Sequence, residues 1–290
     1  MLIDIIINGM VTGSMYALLT IGFALVFSVA RIVNMAHTAF YMVSAFLVFI
    51  GVQMINVGYL TSLVFSISIT TILGIISYRL FFDRVKEHQE AIMIISIALA
   101  LAFQEILFLI FSGTYRGVPS LFRGYIEVAG TRILYQQIAA IVTSALVLGG
   151  LWLWLLKARF GKATRAVSQD PEIANVMGIN VSTIYMVVMS ISVGLAALSG
   201  AIMAPLRSVS PLMWADPIVV VLASVVLGGL GSIGGAVIGA MILGYVETII
   251  IFLVPGGAFL GGAASLCVMV IVLLIRPEGM FGVYFEEERL

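Results

Sequence analysis

Long apolar runs separated by short polar breaks dominate this chain, at 5–30, 38–55, 59–82, 91–112, 133–156, 184–206, 217–254 and 259–275. A helix crosses the hydrocarbon core of a bilayer with about 20 mostly apolar residues. Backbone groups at that depth must bond within their own segment, so each run is expected to be helical. The run 217–254 is too long for one ordinary crossing and contains Gly228-Gly229-Leu230-Gly231-Ser232-Ile233-Gly234-Gly235. It predicts a broken helix, or a half-helix followed by a full one. The expected fold class is all-α: a polytopic membrane protein of about eight to nine transmembrane or half-membrane helices with two internal breaks, in one domain over 1–290.

Composition agrees. The chain is 62% hydrophobic and 10% charged, with a mean hydropathy of +1.21, against about 45–50% and 25% in a soluble domain. A water-facing surface cannot be built from 14 Lys+Arg and 14 Asp+Glu. Zero net charge and the lack of a basic run give nucleic acid nothing to bind. Cys267 is the single cysteine, which excludes an internal disulfide and a cysteine metal cluster. His37 and His88 are too few for a histidine-rich metal site, and no cofactor is expected. Met1-Leu2-Ile3-Asp4 offers no positive region ahead of the first run, which predicts a retained first helix rather than a cleaved signal peptide.

Lys and Arg in short loops set orientation. Lys157, Arg159, Lys162 and Arg165 crowd the start of 157–183, and Arg84 and Lys86 lie in 83–90. Both loops are therefore expected on the cytoplasmic side. The segment 113–132 is then external despite Arg116, Arg123 and Arg132, as is the N-terminus. The side of the C-terminus depends on whether 217–254 crosses once or twice. Small residues at four-residue spacing (Gly9, Gly13 and Ala17; Ala196, Gly200 and Ala204; Gly231, Gly235 and Gly239; Gly257, Gly261 and Ser265) mark faces where helices approach closely.

Three groups of residues carry candidate chemistry. In the long polar loop, Asp170 before Pro171 is a helix start, with Glu172 at the positive end of the dipole. Gly178 is its stop. The result is a helix of about two turns held between two spans. The second group is the break Arg31-Ile32-Val33-Asn34-Met35-Ala36-His37, where an amide and an imidazole interrupt two helices. The glycine-rich stretch 228–235 is expected to match it in the second half. Paired breaks of this kind point to a transport path, which would place Asn34, His37, Gly231 and Gly235 along it. The third group is Gln104-Glu105 and Glu247 within spans. A carboxylate there is costly and should face the bundle interior, either as a path residue or as a paired structural group.

No nucleotide-binding loop G-x-x-x-x-G-K-[ST], no G-x-S-x-G and no H-E-x-x-H occurs. Nothing here is a hydrolase site. Active transport would draw its energy from another chain or from an ion gradient.

Glu172-Ile173-Ala174 and Gly178 are similar to the E-x-A-x-x-x-G core by which ABC importer permeases dock on their ATPases, without the later I-x-L-P part. Over nearly its whole length the sequence resembles the H-type permease subunits of branched-chain amino acid ABC importers. The resemblance rests on Asn8-Gly9 with Gly13-Ser14-Met15-Tyr16-Ala17-Leu18, on Gly22 to Phe27, and on Arg31 to His37. It continues through Gly161 to Ala166 with Gly178-Ile179-Asn180, Val226 to Ala236, and Arg276-Pro277-Glu278-Gly279-Met280-Phe281-Gly282. Met35 and Thr38 depart from the family's usual Phe and Gly. The resemblance implies a permease subunit that is not itself an enzyme, in the cytoplasmic (inner) membrane of a bacterium or archaeon. Its partners would be a homologous M-type permease, two cytoplasmic ATP-binding subunits and an extracytoplasmic solute-binding protein. Leu, Ile or Val would be the substrate, with other amino acids, amides or urea as cargo in relatives. The coupling element would lie within 157–183, with Arg165, Asp170, Glu172, Ala174 and Gly178. A solitary ion-coupled transporter is the alternative class.

Overall fold

The computed structural model describes residues 1–85, 88–128, 130–257, 260–276 and 278–281. In chain order the elements are α1 (Leu2–Ala30), α2 (His37–Phe49), α3 (Tyr59–Ser77), α4 (Gln89–Phe111), β1 (Tyr125–Val128), β2 (Thr131–Leu134), α5 (Tyr135–Lys157), α6 (Arg159–Gln169), α7 (Pro171–Val176), α8 (Val181–Met203), α9 (Ala215–Gly228), α10 (Ile233–Leu253) and α11 (Gly261–Ile275). Single π-helical stretches extend α2 to Met54 and α3 to Phe82. Among the described residues, seven helices are long and apolar enough to cross a membrane, and α9 and α11 are shorter apolar helices. The run 217–254 is thus a half-helix followed by a full one.

α1 is the axis of the bundle. Its most apolar window is 89% buried, against 22% for those of α4 and α5, so α4 and α5 form the periphery. The small-residue row of α1 explains its position. Gly9 faces the Tyr245 ring, Gly13 faces Met241, and a side chain at Gly244 would overlap the Gly13 backbone. α10 therefore lies antiparallel to α1 at backbone contact. Without a hydrophobic drive between helices in lipid, such close approach supplies packing energy. α8 meets α2 in the same way, with Gly200 against the Tyr41 carbonyl.

The two ends of the bundle differ. At the start of α1, Thr131 Oγ1 donates to Asp4 Oδ2 at 3.3 Å and Gln137 Nε2 donates to Asn8 Oδ1 at 3.1 Å. At the other end, α6 packs on α1 and α8, and α7 joins them. The segments 113–132 and 157–183 thus occupy opposite ends, as expected. The backbone N–H of Met280 donates to the Leu227 carbonyl at 2.8 Å and that of Phe281 to Gly228 at 3.1 Å. Met280 and Phe281 therefore lie at the α6 and α7 end. Lys86, Pro277 and Gly282, used above, fall outside the described residues.

Three features differ from expectation. The segment 113–132 contributes to an antiparallel hairpin, β1 with β2, pairing Tyr125 with Leu134 and Val128 with Thr131. The polar stretch after Ala158 is a helix, α6, whose buried Gly161, Thr164 and Val167 recur at helical spacing. The second internal break is not at 228–235, where residues 229–232 make a tight turn at the bundle end between α9 and α10. It lies at 204–214, where Pro205 and Pro211 lack the N–H a helix needs.

Candidate functional site

The first break runs into the bundle. Arg31 closes α1 in the left-handed region, φ 56. His37, the first residue of α2, reaches back to the Leu19 carbonyl with Nε2 at 2.9 Å and meets Ser192 Oγ with Nδ1 at 3.3 Å. α2 therefore starts beside the middle of α1 and α8. Asn34 Oδ1 accepts from the Ala36 N–H at 3.0 Å, and Ser96 Oγ accepts from the Met35 N–H at 3.0 Å. Both Asn34 and His37 are buried. They fix a non-helical turn at depth, as the sequence predicts, and line none of the cavities below. Thr38 Oγ1 is buried and has no hydrogen-bond partner among the described residues.

The second break carries the densest polar cluster. Arg207 follows the end of α8, its N–H bonded to the Met203 carbonyl at 2.9 Å. Its guanidinium points into the bundle, where Nη2 donates to Thr12 Oγ1 at 3.4 Å and stands 3.7 Å from Glu247 Oε1. The other oxygen of Glu247 accepts the Tyr16 hydroxyl at 2.5 Å. Glu247 is thus buried on α10 but partnered, as an intramembrane carboxylate must be. Arg207 borders three cavities, of about 270, 210 and 610 Å³, and Asp216 at the start of α9 borders the last two. Glu247 faces the largest. Sequence reading found Glu247 and missed Arg207, Tyr16 and Asp216. The available signal was an arginine one residue beyond an apolar run, between two prolines.

Glu105 stands apart. It is exposed on α4 and does not face the interior of this bundle, contrary to expectation. Its neighbour Gln104 takes the inward direction, accepting from Trp214 Nε1 at 2.8 Å and donating to Glu105 Oε1 at 3.1 Å. Successive residues on a helix point about 100° apart, so one of the pair must turn outward. Gly231 lies exposed in the turn between α9 and α10. Gly235 is buried where a side chain would strike the Gly228 carbonyl. Both glycines serve the α9–α10 turn, away from the polar cluster.

The short helix α7 is built as its sequence predicts. Asp170 Oδ1 accepts from the N–H groups of Glu172 and Ile173, both at 2.9 Å. At the other end Gly178, φ +85, passes its N–H to Asn175 at 2.9 Å, while Ile179 bonds Ala174 at 3.0 Å. This double closure is the Schellman arrangement, which requires a left-handed residue where Gly178 stands. Ala174 is buried against the bundle, whereas Ile173, Val176 and Met177 are 59%, 88% and 79% exposed. Glu172 and Arg165 are exposed beside them. A cavity of about 800 Å³ separates α7 from Ala30 and Ile32 at the mouth of the first break.

Known proteins match this architecture. A family profile described as branched-chain amino acid transport system, permease component, matches residues 5–276. The high-affinity branched-chain amino acid transport system permease protein BraD of Pseudomonas aeruginosa is 28% identical, covering 96% of this chain and 94% of its own length. LivH of Escherichia coli K12, of the same description, is 28% identical over 95% of this chain and 94% of its own. A probable branched-chain amino acid transport permease protein LivH of Methanocaldococcus jannaschii is 27% identical, over 95% and 91%. Among solved structures, PsaBC from Streptococcus pneumoniae in complex with Fab superposes with a TM-score of 0.53 at 12% identity, covering 93% of this chain and 91% of that one, a likeness of fold. With its membrane-spanning helices and a family match over almost the whole chain, this protein belongs to the permease components of branched-chain amino acid transport systems.

Proposed function

We propose that this chain is the H-type permease subunit of an ATP-driven ABC importer of branched-chain amino acids, residues 1–290 acting as one permease domain in a bacterial or archaeal cytoplasmic membrane. The observation that carries this reading is α7: a helix too short to be stable alone, capped at both ends, presenting Ile173, Val176 and Met177 to solvent at one end of the bundle. An apolar tip on a rigid base suits insertion into a groove of a cytoplasmic ATP-binding subunit. Asp170 and Gly178 set its ends, Ala174 anchors it, and Glu172 and Arg165 add charges around the contact. The end bearing α7 is then cytoplasmic, in keeping with the basic cluster of 157–183.

A second permease supplies the other half of the path. Glu105 supports this: a carboxylate facing lipid costs about 2.5–3.5 kcal/mol, and a polar partner against α4 removes that cost. The homologous M-type subunit fits that role, with two ATP-binding subunits below and a solute-binding protein on the β1–β2 side. ATP closure of the ATPase pair moves α7, and the movement passes to the first break, where Asn34 and His37 hold the entry to α2.

The test is copurification from the native host followed by ATPase assay in proteoliposomes. An ATP-binding subunit and a second permease should accompany the wild-type chain, and loaded binding protein should stimulate hydrolysis. Val176→Asp should release the ATP-binding subunit while the permease stays folded. A wild-type chain that copurifies alone and moves leucine on an ion gradient would overturn the reading.

A further inference from the structure

The cavity of about 610 Å³ among α1, α9, α10 and α11 has two unlike parts to its lining. One part is charged and polar: Arg207, Glu247 and Asp216, with the Tyr16 hydroxyl. The rest is largely aliphatic and includes Val219, Val220, Ile251 and Leu266. Its size lies within the roughly 300–1,000 Å³ of small-molecule sites.

The two charges pair only loosely. Arg207 and Glu247 stand 3.7 Å apart, an ion pair longer than a hydrogen bond, while the other Glu247 oxygen accepts from the Tyr16 hydroxyl and Arg207 Nη2 donates to Thr12 Oγ1 at 3.4 Å. Of the Arg207 side chain, 37% stays open. A guanidinium offers five N–H donors in a planar fork that matches a carboxylate. Asp216 is exposed at the rim, one helical turn from Val219 and Val220.

We propose that this cavity is a binding site for a zwitterionic α-amino acid with a branched aliphatic side chain. Arg207 takes the carboxylate, Asp216 and Glu247 draw the ammonium, and Val220 and Leu266 cover the side chain. The site deepens the proposed function and rests on it. An amino acid leaving water at this depth exchanges hydration for fixed partners of both signs, which a purely apolar path cannot offer. The free acid and the free amine each satisfy only one half of the site. Selectivity for the zwitterion follows from the charge left without a counterpart.

The experiment uses the whole importer complex in nanodiscs without the solute-binding protein. Equilibrium binding of radiolabelled L-leucine is measured against L-leucinamide, which lacks the carboxylate, and 4-methylpentanoate, which lacks the amine. Wild type should favour leucine over leucinamide by roughly tenfold or more. Arg207→Gln should weaken leucine by about tenfold and bring leucine and leucinamide close to parity, and Arg207→Lys should restore part of the preference. A role confined to stability would leave that preference unchanged. Should Arg207→Gln fail to assemble, Leu266→Trp fills the same cavity and should cut leucine binding by about tenfold. If the wild-type complex imports leucine with its binding protein yet neither variant alters binding, the site is wrong and the importer reading stands. If the complex imports none of Leu, Ile and Val, the importer reading falls and the site with it.

Discussion

Tyr16 donates its hydroxyl proton to the Glu247 carboxylate at 2.5 Å although 231 positions separate them. This bond ties the axis of the bundle to α10, where the two backbones already meet at Gly13 and Gly244. A hydrogen bond to a charged group contributes about 1.5–3 kcal/mol. Tyr16→Phe is therefore expected to destabilise the permease by about 2 kcal/mol, and Glu247→Gln by a similar amount. In a double-mutant cycle read by thermal melting in detergent, the double variant should lose clearly less than the two singles together. Strict additivity would mean that the bond contributes nothing.

Gly200 and Gly149 give a contrast on two helices. A side chain at Gly200 would strike the Tyr41 carbonyl, whereas nothing lies within 4 Å of a Cβ at Gly149. Gly200→Leu should abolish the folded α2–α8 contact, seen as aggregation on size exclusion. Gly149→Ala should leave the elution profile intact and raise stability by about 0.5–1 kcal/mol, the helix penalty of glycine.

At Gly178 the backbone has φ +85. Gly178→Val costs about 1–3 kcal/mol there, too little to unfold the bundle but enough to reorient α7. Membrane expression should stay near the wild-type level while amino acid uptake and stimulated ATP hydrolysis both collapse. Normal transport by Gly178→Val would remove α7 as the coupling element.

Asn34 closes the turn of the first break through its bond to the Ala36 N–H at 3.0 Å. Asn34→Leu leaves that buried N–H without its acceptor, at about 1–3 kcal/mol. Asn34→Asp keeps the acceptor. Uptake should fall strongly in the first and less in the second, with both assembled. Equal uptake in all three proteins would reduce the residue to a spacer.

Orientation is open to a direct measurement. In a Cys267→Ser background, single cysteines replace Gln169 at one end of the bundle and Pro119 at the other, both exposed. An impermeant maleimide on intact cells should label residue 119 and spare residue 169. The reverse pattern would invert the topology.

The apolar runs revealed the spans because hydrocarbon tolerates little else, and Asp170, Pro171 and Gly178 revealed α7 because caps act through local bonds. Other elements depend on contacts made across the fold. The polar face of α6 disguised it as a loop, since only Gly161, Thr164 and Val167 pack inward. The glycines of 228–235 signal flexibility equally well for an internal break or for a tight end turn. Only the packing of Gly235 on Gly228 decides between them. Glu105 and Arg207 show the same limit from opposite sides. Their depth was readable from position along the run, but their direction around the helix or loop was not.

Mechanically, α7 is a stiff rod about 9 Å long, and its two closures prevent it from fraying under load. It joins α6 at Asp170 and leads into α8 through Ile179 and Asn180, but a void of about 800 Å³ lies between it and Ala30. In the proposed coupling role, force on its tip has two routes: along the chain into α8, whose Gly200 rests on α2, and back through α6, which packs on both α1 and α8. The void keeps the open side of α7 off Ala30 and Ile32, so α1 takes its share of the load through α6. A stroke on α7 would thus enter the bundle at α8 and α6 and reach α1 only at second hand.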